Sequence, residues 1–212
     1  MDEPPIVATR SGVAVSDRDA LADLRDAFAR DHVVRLRGLL ADELLEHALR
    51  LIDEGTFAIR EDAGIAVELC LQQSRAFDLL MFVMNAPQML EAMRELTGCT
   101  SITSFSGRIY RFDPAVAHHD SWHDDTQNGR RKIGISLNLG RVPFSGGEFQ
   151  LRSREEPERT ITIANTGPGD AIVFRIDPAL QHRVRPAIGD VPKTALAGWF
   201  TVGDVDYWSL IR

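Results

Sequence analysis

The hydrophobic residues of the first hundred positions follow a helical period. The segments 17–32 and 41–55 each place their leucines on one face, which predicts two amphipathic helices. The segment 74–98 predicts two further helices divided at Pro87, because proline is accepted in the first turn of a helix but not in its interior. Between the first two helices, the short apolar run HVVRLRGLL predicts an early strand.

The pattern changes near Thr100, where short alternating or wholly apolar runs replace the helical period. Seven such runs follow in order: SITSFSGRIYRF, KIGISLNL, GEFQLR, TITIAN, DAIVFRI, HRVRP and TALAGWFTV. Segments of turn-forming residues separate them, and strands at this spacing predict a β-sandwich or barrel. We expect one domain over residues 1–212, with residues 1–99 as mainly helical support and residues 100–202 as the β-rich core.

Composition and charge narrow the class of protein. At 212 residues, 44% hydrophobic and 26% charged, the chain resembles an ordinary globular domain. No apolar run approaches the ~20 residues that span a bilayer. The acidic start MDEPPIVATR is unlike a secretory signal, so we expect a cytoplasmic protein without a membrane partner. A net charge of −7 without a basic stripe argues against nucleic acid as a partner. The oligomeric state is left open.

A histidine among carboxylates, in the stretch DSWHDD, is the first candidate for chemistry. If this stretch is extended, His123 and Asp125 point to the same side, as residues i and i+2 do in a strand. His182, at the start of a predicted strand, is the best third ligand, because the other histidines lie in the helical half or too near in sequence. Two histidines and one carboxylate form the ligand set of non-haem Fe(II) oxygenases.

His118 and Asp120 have the same spacing and form a rival pair. An offset of five residues reverses the face of a regular strand, so the two pairs cannot bind one ion together. The loop to the next strand has seven residues after Asp125 and twelve after Asp120. Loops in compact domains are usually short, which favours His123 and Asp125 and leaves the rival pair as an alternative.

The residues from about Ser101 to Val202 resemble a 2-oxoglutarate- and iron(II)-dependent oxygenase of the prolyl-hydroxylase-like branch. Five pieces occur in the order of that family: RIYRF, WHDD, RRKIGISLNL with FSGGEFQLR, NTGPGDAIVF, and HRVRPAIGDVPKTALAGWF. The resemblance implies an α+β fold in which a double-stranded β-helix, a cupin-like jelly roll, carries an N-terminal helical layer on its sheet. It also implies that His123, Asp125 and His182 bind the metal inside the open end.

The resemblance further implies Fe(II) and 2-oxoglutarate as cofactors, with ascorbate as an optional reductant. Lys193, eleven residues after His182, would pair with the distal carboxylate of 2-oxoglutarate, and Tyr110 would donate its hydroxyl to the same group. Arg185 is the alternative anchor. Only Lys132 and Lys193 are lysines among 24 Lys and Arg, which independently suggests a need for a compact charge at this position.

We therefore expect an enzyme that couples O₂ and 2-oxoglutarate to hydroxylation of an unactivated C–H bond. Its substrate would be a small metabolite, an amino acid or a peptide, with succinate and CO₂ as co-products. The alternative is a cupin-like metal-binding jelly roll, an isomerase or a binding module, without oxygenase activity. Lys193 separates the two hypotheses, because a simple metal-binding module has no need for a buried cation beside its metal.

Overall fold

The computed structural model describes residues 4–62, 64–116, 118–126, 129–164 and 167–203. The first three and last nine residues of the predicted domain lie outside these ranges. The helices are α1, Arg18–Asp31; α2, Asp42–Asp53; α3, Arg75–Met84; and α4, Pro87–Thr97. The strands are β1, Ile6–Thr9; β2, Gly12–Val15; β3, Val33–Leu36; β4, Phe57–Asp62; β5, Ala66–Leu71; β6, Ile102–Phe112; β7, His119–Asp120; β8, Arg131–Asn138; β9, Ser145–Gly146; β10, Phe149–Ser153; β11, Ile161–Ile163; β12, Ala171–Arg175; β13, Leu180–Val184; β14, Ala187–Ile188; and β15, Lys193–Val202.

Two curved sheets form the β-rich part of the molecule. The main sheet has the strand order β3-β12-β8-β15-β6-β5-β4, with β7 paired to β5, and the smaller sheet has the order β11-β10-β13. The short pairs β1-β2 and β9-β14 stand apart from both. This arrangement is the double-stranded β-helix that the sequence predicts, and all seven runs after Thr100 form strands within it.

The main sheet separates two hydrophobic cores. On one face, alternate residues of β8, namely Ile133, Ile135 and Leu137, pack with the apolar faces of the four helices. On the other face, side chains such as Phe149 and Phe174 fill the space between the two sheets. Burial of each such side chain stabilises the fold by roughly 1.5–3 kcal/mol. The helices therefore form a supporting layer, as expected, and the second core surrounds the candidate site.

Local signals in the sequence set the ends of the helices. The carboxylate of Asp17 caps α1 by accepting a hydrogen bond from the Ala20 amide at 2.9 Å. Helix α4 begins at Pro87, as predicted, and ends at Gly98, whose φ of 68° is the left-handed conformation that favours glycine. None of the helices in the described ranges is both long and apolar enough to cross a bilayer.

Strands β4 and β5 are absent from the sequence-based prediction. They form an antiparallel hairpin at the edge of the main sheet, where β5 pairs with β6 at Leu69↔Arg111 and Cys70↔Tyr110. Strand β4 has no buried residue, so it lacks the apolar alternation by which a strand is recognised. This hairpin brings further charged side chains to the candidate site.

Candidate active site

The three residues His123, Asp125 and His182 meet inside the jelly roll. The His123 amide donates to the His182 carbonyl at 3.1 Å, and the His182 amide donates to the His123 carbonyl at 2.9 Å. Asp125 Oδ2 lies 3.3 Å from His182 Nε2 and 3.6 Å from His123 Nε2. Their candidate ligand atoms all lie within 4.8 Å of one another. The backbone bridge therefore brings together two histidines that are far apart in sequence.

The backbone at Asp125 differs from the extended geometry that the sequence analysis assumed. Asp125 has a φ of 59°, in the left-handed region that aspartate tolerates better than most residues. Asp124 turns away and accepts hydrogen bonds from the Thr126 amide at 3.0 Å and from Arg154 Nη2 at 2.6 Å. His123 and Asp125 thus converge through a turn, not through the alternation of a regular strand.

Two side chains hold the Asp125 carboxylate from behind. Trp199 Nε1 donates to Oδ2 at 2.6 Å, and Arg131 Nη1 donates to Oδ1 at 2.8 Å. The Arg131 guanidinium also lies 3.6 Å from the centre of the Trp199 ring. Burial alone would raise the pKa of Asp125, but hydrogen bonds from His123 and His182 outweigh it and hold the pKa well below its usual range. The carboxylate is therefore charged and fixed in orientation.

Hydrogen bonds set the tautomer of His123. Its Nδ1 lies 2.7 Å from the Ser121 carbonyl oxygen, which can only accept, so Nδ1 carries a proton and Nε2 faces Asp125. Asp120 Oδ1 lies 3.3 Å from the same Nδ1. Burial lowers the pKa of His123, but Asp125 and Asp120 outweigh it and raise the pKa to about 9. The site thus favours positive charge at the place where the three side chains meet.

His182 is packed between aromatic rings. Its ring centroid lies 4.5 Å from that of Phe174 and 5.9 Å from that of Phe149, which stacks on it. Phe174 can occupy this position because Gly134 opposes it: a Cβ at Gly134 would lie 2.2 Å from the Phe174 ring. Burial lowers the pKa of His182, which keeps this imidazole neutral and able to bind a cation.

The rival pair does not meet at this point. His118 Nδ1 accepts the Asp113 amide at 2.9 Å, so its side chain stabilises the turn after β6. Asp120 contacts His123 on the side away from Asp125. The arrangement therefore brings together His123, Asp125 and His182, while Asp120 supports the first histidine.

Lys193 and Tyr110 lie together deeper in the second core. Lys193 opens β15, is 2% exposed, and its Nζ donates to the Gly147 carbonyl at 2.9 Å. It lies 5.8 Å from the centre of the Tyr110 ring. In the described part of the chain, no carboxylate forms an ion pair with Lys193. Burial lowers its pKa to about 7, although Asp120 and Glu148 act in the opposite direction.

The partners of this lysine distinguish it from Arg185. The Arg185 side chain is 55% exposed and lies 3.9 Å from Glu148, so it is a surface group. Burial raises the pKa of Tyr110, so its hydroxyl stays protonated and can donate a hydrogen bond. Lys193 and Tyr110 are therefore better placed than Arg185 to bind a buried carboxylate.

Gly147, in the stretch FSGGEFQLR, makes room for the lysine. It has a φ of 65°, and a Cβ there would lie 2.9 Å from Lys193 Cδ. Its carbonyl is also the acceptor for Lys193 Nζ. Sequence reasoning gave this glycine no part in the site, and the left-handed turn that it forms is the local signal for its role.

A cavity of about 110 Å³ is lined by the three metal-ligand candidates and by Tyr110. Its far wall carries an ion cluster that the sequence analysis missed. Glu68 of β5 is 2% exposed and accepts from Arg60 Nη1 at 3.0 Å and from Arg108 Nη2 at 3.2 Å. These residues come from the unpredicted hairpin and from β6, so only the tertiary fold relates them.

The described residues fit a metal ion and an oxo-acid. Two ligands that are each about 2.1 Å from a metal and at right angles lie about 3 Å apart. The observed separations of 3.3 and 3.6 Å need only a small contraction to reach this value. Lys193, a buried cation with no carboxylate partner in the described ranges, fits the charge of a bound dicarboxylate.

Comparison with known proteins finds one matching family model and solved structures with a similar fold. The family model of the 2OG-Fe(II) oxygenase superfamily matches residues 108–201. Among solved structures, a prolyl-4-hydroxylase from Pseudomonas putida is 18% identical, with 87% of this chain and 100% of that chain covered and a TM-score of 0.66. A prolyl hydroxylase from Trichoplax adhaerens, in complex with a hypoxia inducible factor peptide fragment, is 14% identical, with 87% and 90% covered and a TM-score of 0.68.

A third similar structure is the epimerase SnoN from nogalamycin biosynthesis, in complex with Fe³⁺ and alpha ketoglutarate. It is 13% identical, with 86% of this chain and 83% of that chain covered and a TM-score of 0.62. No curated protein matches the sequence. At these identities the solved structures show a shared fold, and the family match spans all five predicted site residues. Residues 108–201 are thus similar to the 2OG-Fe(II) oxygenase superfamily, and this similarity indicates an enzyme that uses Fe(II) and 2-oxoglutarate.

Proposed function

We propose that this oxygenase hydroxylates a C–H bond of a small molecule or peptide. The reaction consumes the substrate, 2-oxoglutarate and O₂, and it releases the alcohol, succinate and CO₂. The observation that carries the proposal is the convergence of a His-Asp-His triad with a buried lysine, connected through Tyr110, which lines the same cavity as the triad. The prolyl hydroxylases among the structural neighbours support hydroxylation as the outcome.

His123, Asp125 and His182 would hold Fe(II) on one side, as the ligand set of two imidazoles and one carboxylate does in non-haem iron enzymes. When bound, the iron and the oxo-acid supply an oxidant from O₂ with loss of CO₂. Arg131 and Trp199 hold the Asp125 carboxylate in place during this chemistry. Such supporting contacts typically change metal affinity or activity ~10- to 100-fold when they are lost.

Lys193 and Tyr110 would bind the distal carboxylate of 2-oxoglutarate. Lys193 would gain a charge-assisted hydrogen bond in place of its neutral contact with the Gly147 carbonyl. Tyr110 keeps its proton because burial raises its pKa, so its hydroxyl can donate to the same carboxylate. The buried rings of Phe149 and Phe174 form part of the wall and keep water from this end of the cavity.

The metal-binding jelly roll without oxygenase activity fits the site less well. Such a module needs the three ligands but not Lys193, whose burial as a cation without a carboxylate partner in the described ranges is unfavourable unless an anion binds. The lysine therefore favours the oxygenase.

Anaerobic addition of Fe(II) and 2-oxoglutarate tests the proposal. We expect a metal-to-ligand charge-transfer absorption in the visible region when both are present, and slow formation of succinate once O₂ is admitted without substrate. If the metal binds but neither the absorption nor succinate appears, the binding-module hypothesis is correct instead.

A further inference from the structure

A groove of about 390 Å³ lies next to the metal pocket. Arg183, Arg185 and Trp122 line it, and Asp120 and Val184 line both the groove and the metal pocket. Arg183 directly follows His182 on β13, so its position is coupled to that of a metal-ligand candidate. A molecule in the groove could therefore extend one end into the metal pocket.

The two arginines of the groove retain hydrogen-bonding capacity. Arg183 Nε donates to Gln150 Oε1 at 2.7 Å, and its guanidinium lies 4.6 Å from the centre of the Trp122 ring. These contacts fix the guanidinium but leave its terminal N–H groups available, and no carboxylate in the described ranges forms an ion pair with it. Arg185 is 55% exposed and contacts Glu148 only at 3.9 Å.

Arginines outnumber carboxylates among the residues that line the groove, where Asp120 is the acidic residue and contacts His123. Arg152 lies 4.0 Å from the centre of the Trp122 ring and adds a third guanidinium to the same region. The cations of the metal pocket differ, because Arg131 is paired with Asp125 and Arg108 is paired with Glu68. In a chain with a net charge of −7, an anion in the groove would relieve the repulsion among these arginines.

We propose that the groove binds an anionic group of the substrate, a carboxylate or a phosphate, through Arg183 and Arg185. The planar guanidinium matches both oxyanions through paired N–H donors. The inference rests on the proposed function, since it places the C–H bond to be oxidised in the adjoining metal pocket. The substrate class is then an organic acid or phosphate ester whose charged group lies outside the metal pocket.

Titration of the protein, loaded with Zn(II) and 2-oxoglutarate, tests the groove without turnover. Inorganic phosphate and acetate are the two probes, followed by NMR shifts of the Trp122 indole and the Val184 amide. We expect saturable shifts with at least one probe, and the better probe identifies the preferred oxyanion. In Arg183→Gln and Arg185→Gln the affinity should fall roughly tenfold or more. Arg159→Gln, a 79% exposed arginine that does not line the groove, should behave as wild type.

Measurement of succinate formation during turnover is a second test of the groove. Matched carboxylic acids, phosphate esters and their uncharged amides or alcohols are added with Fe(II), 2-oxoglutarate and O₂, and succinate above the substrate-free rate is measured. We expect anionic compounds alone to stimulate succinate formation, and Arg183→Gln to raise their KM roughly tenfold or more. Shifts that are absent for both probes or unchanged in the variants would overturn the proposal, as would equal stimulation by uncharged compounds. Loss of substrate-free succinate formation would instead count against the proposed function.

Discussion

Arg108 and Lys193 are basic residues on the neighbouring strands β6 and β15, but their surroundings differ. Arg108 donates from Nε and Nη2 to Glu68, which Arg60 also contacts. Arg60 also pairs with Asp62, so two guanidiniums and two carboxylates neutralise each other in this cluster. Lys193 has the Gly147 carbonyl as its hydrogen-bond acceptor and, in the described ranges, no carboxylate in an ion pair. The fold therefore pairs one buried charge internally and leaves the other without an ionic partner.

This difference distinguishes Arg108, whose ion pair stabilises the fold, from Lys193, which is available to bind an anionic ligand. A buried ion pair holds its elements in register, and loss of one partner leaves the other uncompensated. A buried cation without an ionic partner is unfavourable until an anion arrives, so its burial is explained best by a ligand. We expect the two regions to respond to mutation in opposite ways.

The largest expected effect is on stability at the self-neutralised cluster. Glu68→Gln leaves the Arg108 guanidinium buried without a carboxylate, which should lower the free energy of unfolding by about 3–5 kcal/mol. Asp62→Asn, which removes only the partly exposed partner of Arg60, should cost less than about 1 kcal/mol. Lys193→Met should leave stability unchanged or higher. Urea denaturation measures all three, and a larger loss in Lys193→Met than in Glu68→Gln would refute the comparison.

The next effect extends the comparison to the carboxylates on either side of His123. Asp120→Ala removes a contact to Nδ1 and should weaken iron binding or activity by ~10- to 100-fold. Asp125→Ala removes a proposed ligand and should weaken it further, with Arg131 and Trp199 also losing their acceptor. Equilibrium dialysis with Fe(II) measures which of the two variants binds iron more weakly. Iron binding that survives in Asp125→Ala but not in Asp120→Ala would show that His118 and Asp120 form the metal site.

A smaller effect should appear in the pH dependence of 2-oxoglutarate binding. Burial lowers the pKa of Lys193 to about 7 from its ordinary value of 10.5, so the free protein loses this proton above neutrality. The carboxylate needs the protonated lysine, hence affinity should be constant below pH 7 and fall about tenfold per pH unit above it. Lys193→Arg, which stays charged, should give weaker binding without this slope. A flat wild-type profile between pH 7 and 8.5 would contradict the lowered pKa.

The lowered pKa of Lys193 also determines how its contribution to the free energy of unfolding changes with pH. Between pH 7 and 10.5 the unfolded chain binds the Lys193 proton and the folded chain does not, so this group makes stability rise with pH. Below pH 7 the folded protein carries the buried charge, and the penalty is fully present. Any gain from Lys193→Met should therefore be largest near pH 6 and disappear as the pH approaches 10.5.

Much of the fold and part of the site could be predicted from the sequence. The strands after Thr100 are recognisable as short apolar or alternating runs, because central strands such as β8 lie between two cores and are buried along most of their length. His123, Asp125 and His182 are recognisable by residue type, spacing and order. These signals are local or depend only on order along the chain. The left-handed conformation of Asp125 could not be predicted, because the residues WHDD are compatible with either a turn or a strand end.

The other residues of the site could not be predicted, because tertiary contacts determine their partners. Glu68 and Arg108 lie 40 residues apart and meet because β5 pairs with β6. Strand β5 belongs to the β4-β5 hairpin, whose first strand has no buried residue. Arg131 looks like one of many surface arginines until its stacking on Trp199 and its hydrogen bond to Asp125 are seen. Charged residues have many possible partners, and only the fold selects among them.

We propose that Lys193 makes this site a 2-oxoglutarate site, and the affinity of Lys193→Ala for 2-oxoglutarate is the measurement that tests this role. Removing one partner of a buried charge-assisted pair costs on the order of 2–5 kcal/mol, which is roughly 30- to several-thousand-fold. We expect a loss of at least about tenfold in Lys193→Ala, with iron affinity unchanged and Arg185→Ala equal to wild type. Wild-type affinity in Lys193→Ala, with the loss in Arg185→Ala instead, would contradict it.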